Sequence, residues 1–271
     1  MLASPLELAA GIAAGLCYLL GTIIVARRLR QPRDPNAAAY TALVLPGVLL
    51  HGLVAYWSIS TPEGVNLGIH AAALLVTWVM AAFVLLAAWR LPVASLFVLV
   101  LPIAMISLLL AMLTERPGSA LLQLSRELVV HVLASIVAYS VLFMAACQSL
   151  VLAVQERNLR AHQGIALIRL LPPLETMETL LFGMLWTGIA LLTISIGTGF
   201  AYLDDMFAQR VVHHTVLACA AWLTYAVLLA GRQLYGWRGS TAVRWTLLAF
   251  ALLLLGYFGS KFVLEIVLQR Q

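Results

Sequence analysis

Charge is scarce in this chain. Of its 271 residues only 10% are charged, where a soluble domain carries about 25%. Apolar residues make up 63%, and mean hydropathy is +1.01. These values exclude a soluble globular protein and imply an integral membrane protein. Cysteine is scarce too. Cys17, Cys147 and Cys219 all lie within apolar runs, and no CxxC occurs. A structural disulfide, a thiol-redox pair and a covalent CxxCH haem site are therefore unsupported, and the thiols read as small packing residues. A Walker loop, HExxH, a glycine-rich dinucleotide loop and a nucleophile–base–acid set are also missing, so nothing supports hydrolysis or ATP use. The net charge of +5 does not signal nucleic-acid binding, because most basic residues lie between apolar runs, where topology accounts for them. No internal repeat, low-complexity segment or separate soluble part is visible, so residues 1–271 read as a single polytopic membrane domain.

What the chain does have is long apolar runs. A membrane-spanning helix needs about 20 such residues. Runs of that order fall at about Leu6–Ala26, Ala38–Ser58, Leu67–Ala88, Val93–Leu113, Leu128–Ala153, Glu178–Gly199, Val212–Gly231 and Arg244–Leu268. They are continuous rather than alternating, which predicts helices and not a barrel. The expected fold is an all-α integral membrane protein, a bundle of about eight transmembrane helices in contact with the lipid bilayer. The first run lacks a basic leader and a small-residue cleavage site, so it reads as a retained helix. Gly11 and Gly15 form a GxxxG suited to close helix contact. Pro102 predicts a kink in the fourth span, and Pro172-Pro173 ends any surface helix in the connector Val154–Met177.

Basic residues set the orientation. RRLRQPRDP after the first span should stay in the cytoplasm, which puts both termini on the outer, periplasmic side of a bacterial inner membrane. On this scheme Arg116, Arg126, Arg210, Lys261 and Arg270 are outside, and the other 11 of the 16 basic residues are inside.

The same scheme sorts the histidines. His51, His70, His131, His213 and His214 fall in the outer half or at the outer end of their spans; His162 is cytoplasmic and reads as solvated. Ionisable groups inside spans are costly enough to suggest a role, and neutral imidazole is a common metal and haem ligand. A helix-end histidine also often only bonds a neighbouring helix or the headgroups, and both readings stay open. His131 begins a polar stripe with Ser135 and Tyr139 at i, i+4 and i+8, which must face protein or a cavity. His213 and His214 point about 100° apart, so at most one of them faces the same centre as His131. His51 is the deepest. Lys261 and Glu265 read as an i, i+4 ion pair, and Asp204-Asp205 as solvated loop acids or partners for an imidazole.

Three stretches carry a resemblance: HVLASIVAYSVLFMAACQSLVLAVQERNLR, LPPLETMETLLFGMLWTGIALLTISIGTGFAY, and HHTVLACAAWLTYAVLLAGRQLYGWRGSTAVRWTLLAFALLLLGYFGSKFVLE. Over about residues 128–265 the chain resembles the cytochrome c assembly membrane-protein family, and within it the HemX/YpjD-like branch. The resemblance implies a haem-associated role in cytochrome c biogenesis, with haem as cofactor and other assembly proteins as partners. Better-known members hold haem at the outer face between two histidines, and His131 matches one of these by position. Those members also carry a WGxxWxWD segment. Here the corresponding GTGFAYLDDMFAQR has no tryptophan, which argues against a full cytochrome synthetase. Their second outer histidine has no counterpart near Phe258-Gly259-Ser260. His214, with His51 in reserve, would have to take that place, and His213 is the remaining candidate.

Two further functions stay open beside a haem-binding or haem-handling accessory. One is a non-haem regulatory or interaction protein on the same scaffold. The other, less favoured, is a small-molecule transporter, against which no span carries a charged midplane residue or glycine and proline breaks in matching halves.

Overall fold

The computed structural model describes residues 4–28, 37–61, 64–66, 68–113, 126–161, 171–202, 212–259 and 262. Within them eight helices are long and apolar enough to cross a membrane. We number them α1 (Pro5–Arg28), α2 (Ala37–Ile59), α3 (Ile69–Ala87), α4 (Ala94–Leu113), α5 (Arg126–Arg160), α6 (Leu174–Tyr202), α7 (Val212–Tyr235) and α8 (Gly239–Leu254). A single π-helical turn, Leu255–Gly259, continues α8. The loop after α2 holds a two-residue hairpin, Ser60–Thr61 (β1) antiparallel to Gly64–Val65 (β2).

The boundaries differ from the hydropathy reading where polar sequence continues a helix. VQERNLR extends α5 to Arg160, and α6 begins directly after Pro172-Pro173 rather than at Glu178. Proline cannot continue a helix but is readily followed by one, so the pair marks a start. The last helix begins at Gly239, five residues before Arg244, for a reason given below.

The chain divides into two compact units. The first comprises residues 1–122 with 158–172 and contains α1 to α4. In it α1 packs on α2 and α4, and α3 packs on α2 and α4. Small residues permit this, since helices in lipid are held by close packing and not by a hydrophobic gradient. The Gly11–Gly15 face is turned to α4: Met112 fills the place of a Gly11 side chain, and a Gly15 Cβ would stand 3.8 Å from Met105. Gly47 meets Cys17 and Tyr18 of α1, and Gly52 meets the Trp78 indole, whose Nε1–H donates to the Val48 carbonyl at 3.0 Å. Leu74, Met80, Phe97 and Leu101 fill the centre with no exposed surface.

The second unit comprises residues 123–157 and 173–271. Here α5 and α6 run antiparallel. Gly188 of α6 accommodates Leu142 of α5, and Gln148 Nε2–H donates to the Met177 carbonyl at 3.2 Å. At one end of this unit a buried carboxylate fixes the α7–α8 turn. Glu178 Oε1 accepts the Gly239 amide at 2.9 Å, and Oε2 accepts Arg238 Nε–H at 3.0 Å, with Arg232 4.0 Å away. A carboxylate on the free amides of a first helical turn is favoured by both hydrogen bonding and the helix dipole. That is why α8 starts at Gly239. The turn itself needs Gly236 and Gly239, whose φ values of 67° and 52° suit few side chains. Trp237 then lies against Gly231, stacked between Tyr235 and Trp245.

Candidate histidine site

At the opposite end of the second unit, α5, α6 and α7 bring polar side chains together. His131 stands in the first turns of α5, one turn before Ser135 and two before Tyr139. Its Nδ1 lies 2.9 Å from the Ser195 carbonyl of α6 and 3.3 Å from Thr198 Oγ1. A carbonyl can only accept, so Nδ1 carries the proton and the neutral ring keeps its lone pair on Nε2. Thr198 spends its own hydroxyl proton on the Ile194 carbonyl at 2.8 Å, so it too accepts from His131. Ser135 Oγ donates to the His131 carbonyl and also pairs with Ser195 Oγ, both at 2.7 Å. The imidazole is held in one tautomer and one orientation by a neighbouring helix.

His214 opens α7. It is half-buried, and its ring meets Tyr257 edge-on with centroids 5.8 Å apart. Tyr257 also meets Tyr139, at 5.8 Å, and Tyr139 Oη–H donates to the Leu253 carbonyl at 3.3 Å. These contacts gather where α8 gives way to its π turn. A wider turn shifts carbonyls out of the regular ladder and lets a side-chain donor reach one. Gly256 makes the approach to α7 possible, because a Cβ there would come within 3.2 Å of Leu217 Cβ.

A cavity of about 50 Å³ lies between these helices, lined by His131, Ser135 and Tyr139, by Ser195, and by His214 and Cys219. His131 and His214 therefore face one space. His213 is exposed, as its rotation about the helix requires. His51 belongs to the first unit, where it is fully buried and its Nδ1 is hydrogen-bonded to the Tyr18 hydroxyl, 3.1 Å away. His70 is partly exposed at the start of α3. His162, Asp204, Asp205, Lys261 and Glu265 lie outside the described residues. Sequence reasoning missed Ser195, Thr198, Tyr257 and the lining role of Cys219. The signal for the first two was present, as hydroxyls spaced by three within the apolar run TISIGTG.

The family model described as "Cytochrome C assembly protein" matches residues 37–268, most of the chain. The chain belongs to the cytochrome c assembly protein family. Among its relatives is the inner membrane protein YpjD of Escherichia coli strain K12, 32% identical over 173 residues. That match covers 62% of this chain and 65% of YpjD, just under two thirds of the relative's length. A 28.8 kDa protein of Azospirillum brasilense, from a nifR3-like 5′ region, is 35% identical over 140 residues, 51% of this chain and 52% of that one. No solved structure matches. With eight membrane-length apolar helices among its described residues, this family member is a multi-pass protein of the bacterial inner membrane.

The donor set can be tested against the haem that the family implies. Two imidazoles from different helices, one with its lone pair fixed on Nε2, are the donor type that would hold a haem iron. Among the described residues no group of three or more His, Cys, Asp or Glu could hold a bare metal ion. The enclosed volume is another matter. About 50 Å³ takes one or two water molecules, whereas pockets for ligands of drug size run to about 300–1,000 Å³. The donors fit; the space between the helices, which is partly open, is too small to enclose a macrocycle.

Proposed function

We propose that this protein is a haem-handling membrane accessory in cytochrome c assembly. It would act at the outer face, with both termini on that side and with His131 and His214 as the residues that would hold the haem iron. The carrying observation is that these two histidines line one cavity while Ser195 fixes the His131 tautomer. Haem, when bound, would supply a redox-active iron. The chain's own contribution is to hold the His131 lone pair toward the cavity and to keep Ser135, Ser195 and Tyr139 around it. His51 and His213 are weaker ligand candidates on this reading, one tied to Tyr18 and the other exposed. The loop matching the tryptophan-rich segment of other members has no tryptophan, so the protein is proposed to assist rather than to perform the covalent attachment.

The alternative is an interaction protein that kept the scaffold without haem, which the small enclosed volume favours. Absorption spectra of the purified protein, oxidised and then reduced, separate the two. A Soret band that shifts on reduction supports the haem reading. A protein that purifies without haem and takes up none when hemin is added sinks it. Expression in a strain lacking its cytochrome synthetase should restore no covalent cytochrome c; recovery would show that the accessory role is too modest.

A further inference from the structure

Two buried hydroxyls deep in the second unit have no hydrogen-bond partner among the described residues: Tyr225 Oη of α7 and Thr246 Oγ1 of α8. Both residues are 0% exposed. A buried hydroxyl left unsatisfied keeps the full cost of its desolvation, so two in one layer call for a partner. Thr246 makes the point sharply. A helical threonine commonly returns its hydroxyl to the carbonyl four residues back. Thr22, Thr77, Thr187, Thr193 and Thr224 all do so in this protein. Thr246 forms no such bond, although the Ala242 carbonyl stands one turn before it.

The two groups also share a level. Gly231 meets Trp237 near one end of the antiparallel α7–α8 pair, and Gly256 meets His214 at the other. Those two contacts put Tyr225 and Thr246 at about the same level, near the middle of both spans. Tyr139, which lines the histidine cavity, lies close enough to Tyr225 to interact with it electrostatically. Its hydroxyl proton goes to Leu253, which leaves its oxygen lone pairs as acceptors.

We infer that the second unit holds a water-binding site around Tyr225 and Thr246, at mid-span, extending the polar interior of the histidine cavity past Tyr139. Phenol and threonine hydroxyls each donate and accept, which supplies the two or more polar contacts that a buried water needs. The site stands independently of haem. It places water inside a core that is otherwise built from apolar side chains such as Leu142, Leu181 and Leu228.

X-ray radiolysis of the purified full-length protein followed by mass spectrometry tests the site, because bound water delivers hydroxyl radicals to buried side chains. Tyr18 is the internal reference, equally buried but hydrogen-bonded to His51. Tyr225 should be oxidised several-fold faster than Tyr18, and Thr246→Val should bring its rate down toward that of Tyr18. Tyr225→Phe should lower the thermal midpoint, since it removes a satisfied hydroxyl. Equal labelling of Tyr225 and Tyr18 in the wild type overturns the inference. So does a raised midpoint in Tyr225→Phe, the result expected where a dry, unpartnered hydroxyl is deleted.

Discussion

The Ser195 carbonyl, 2.9 Å from His131 Nδ1, fixes which nitrogen of the histidine keeps its lone pair. Because the carbonyl belongs to α6 and the histidine to α5, the donor is set by a contact between helices. An accepting group at Nδ1 also raises the basicity of Nε2, the arrangement found around metal-bound histidines. The remaining residues at this end either orient the ring or line the space before it.

This gives the first prediction. His131→Ala should abolish or greatly weaken a reduced-haem spectrum, and His214→Ala should turn a six-coordinate low-spin spectrum into a five-coordinate one. His213→Ala and His162→Ala should leave the spectrum unchanged. If haem binds and His131→Ala keeps the full spectrum, the histidine cluster is structural.

Orientation is tested by fusions. A reporter active only in the cytoplasm should be silent after Gln271 and active when placed within 154–177. The reverse pattern would move the histidine end to the cytoplasmic side and remove the outer-face reading of the site.

Glu178 should matter for stability and not for the histidine site. Glu178→Gln keeps an acceptor for the Gly239 amide but loses the charge that holds Arg238 at 3.0 Å. The side chain is only 10% exposed, while Arg238 is 57% exposed, which screens part of the interaction. A loss of about 1–2 kcal/mol is expected, the roughly 1.5–3 kcal/mol of hydrogen bonds to charged groups reduced by that screening. Thermal unfolding in detergent should show a lower midpoint, with any haem spectrum intact. An unchanged midpoint would mean that α8 starts at Gly239 without this carboxylate.

Two glycines of α6 should respond in opposite directions. A Cβ at Gly188 would strike Leu142, whereas a Cβ at Gly183 meets nothing within 4 Å. Gly188→Ala should cost about 1–3 kcal/mol through overpacking. Gly183→Ala should be neutral or stabilising, by up to about 1 kcal/mol from reduced backbone freedom. Unfolding midpoints of the two variants decide it, and equal shifts would argue against the close α5–α6 contact.

Much of the architecture was legible in the sequence, because crossing a bilayer is a local and additive property. Twenty or so apolar residues are enough to specify a span wherever the rest of the chain goes. The eight spans, the GxxxG face of α1 and the stripe of His131, Ser135 and Tyr139 all follow from spacing within one helix. Helix ends in polar sequence were less legible. The continuation of α5 to Arg160 has little hydropathy signal, and the start of α8 at Gly239 depends on a carboxylate about 60 residues away.

The tertiary structure alone decided the site. Spacing required that no more than one of His213 and His214 share a centre with His131; only packing against Tyr257 and the π turn showed that it is His214. Likewise, nothing local indicated that a backbone carbonyl at Ser195 would choose the His131 tautomer, or that Thr246 would withhold its hydroxyl from its own helix. Hydropathy places a residue in the membrane, one helix at a time. Which polar groups then meet is settled between helices, where side-chain shape and hydrogen-bond geometry determine the contact.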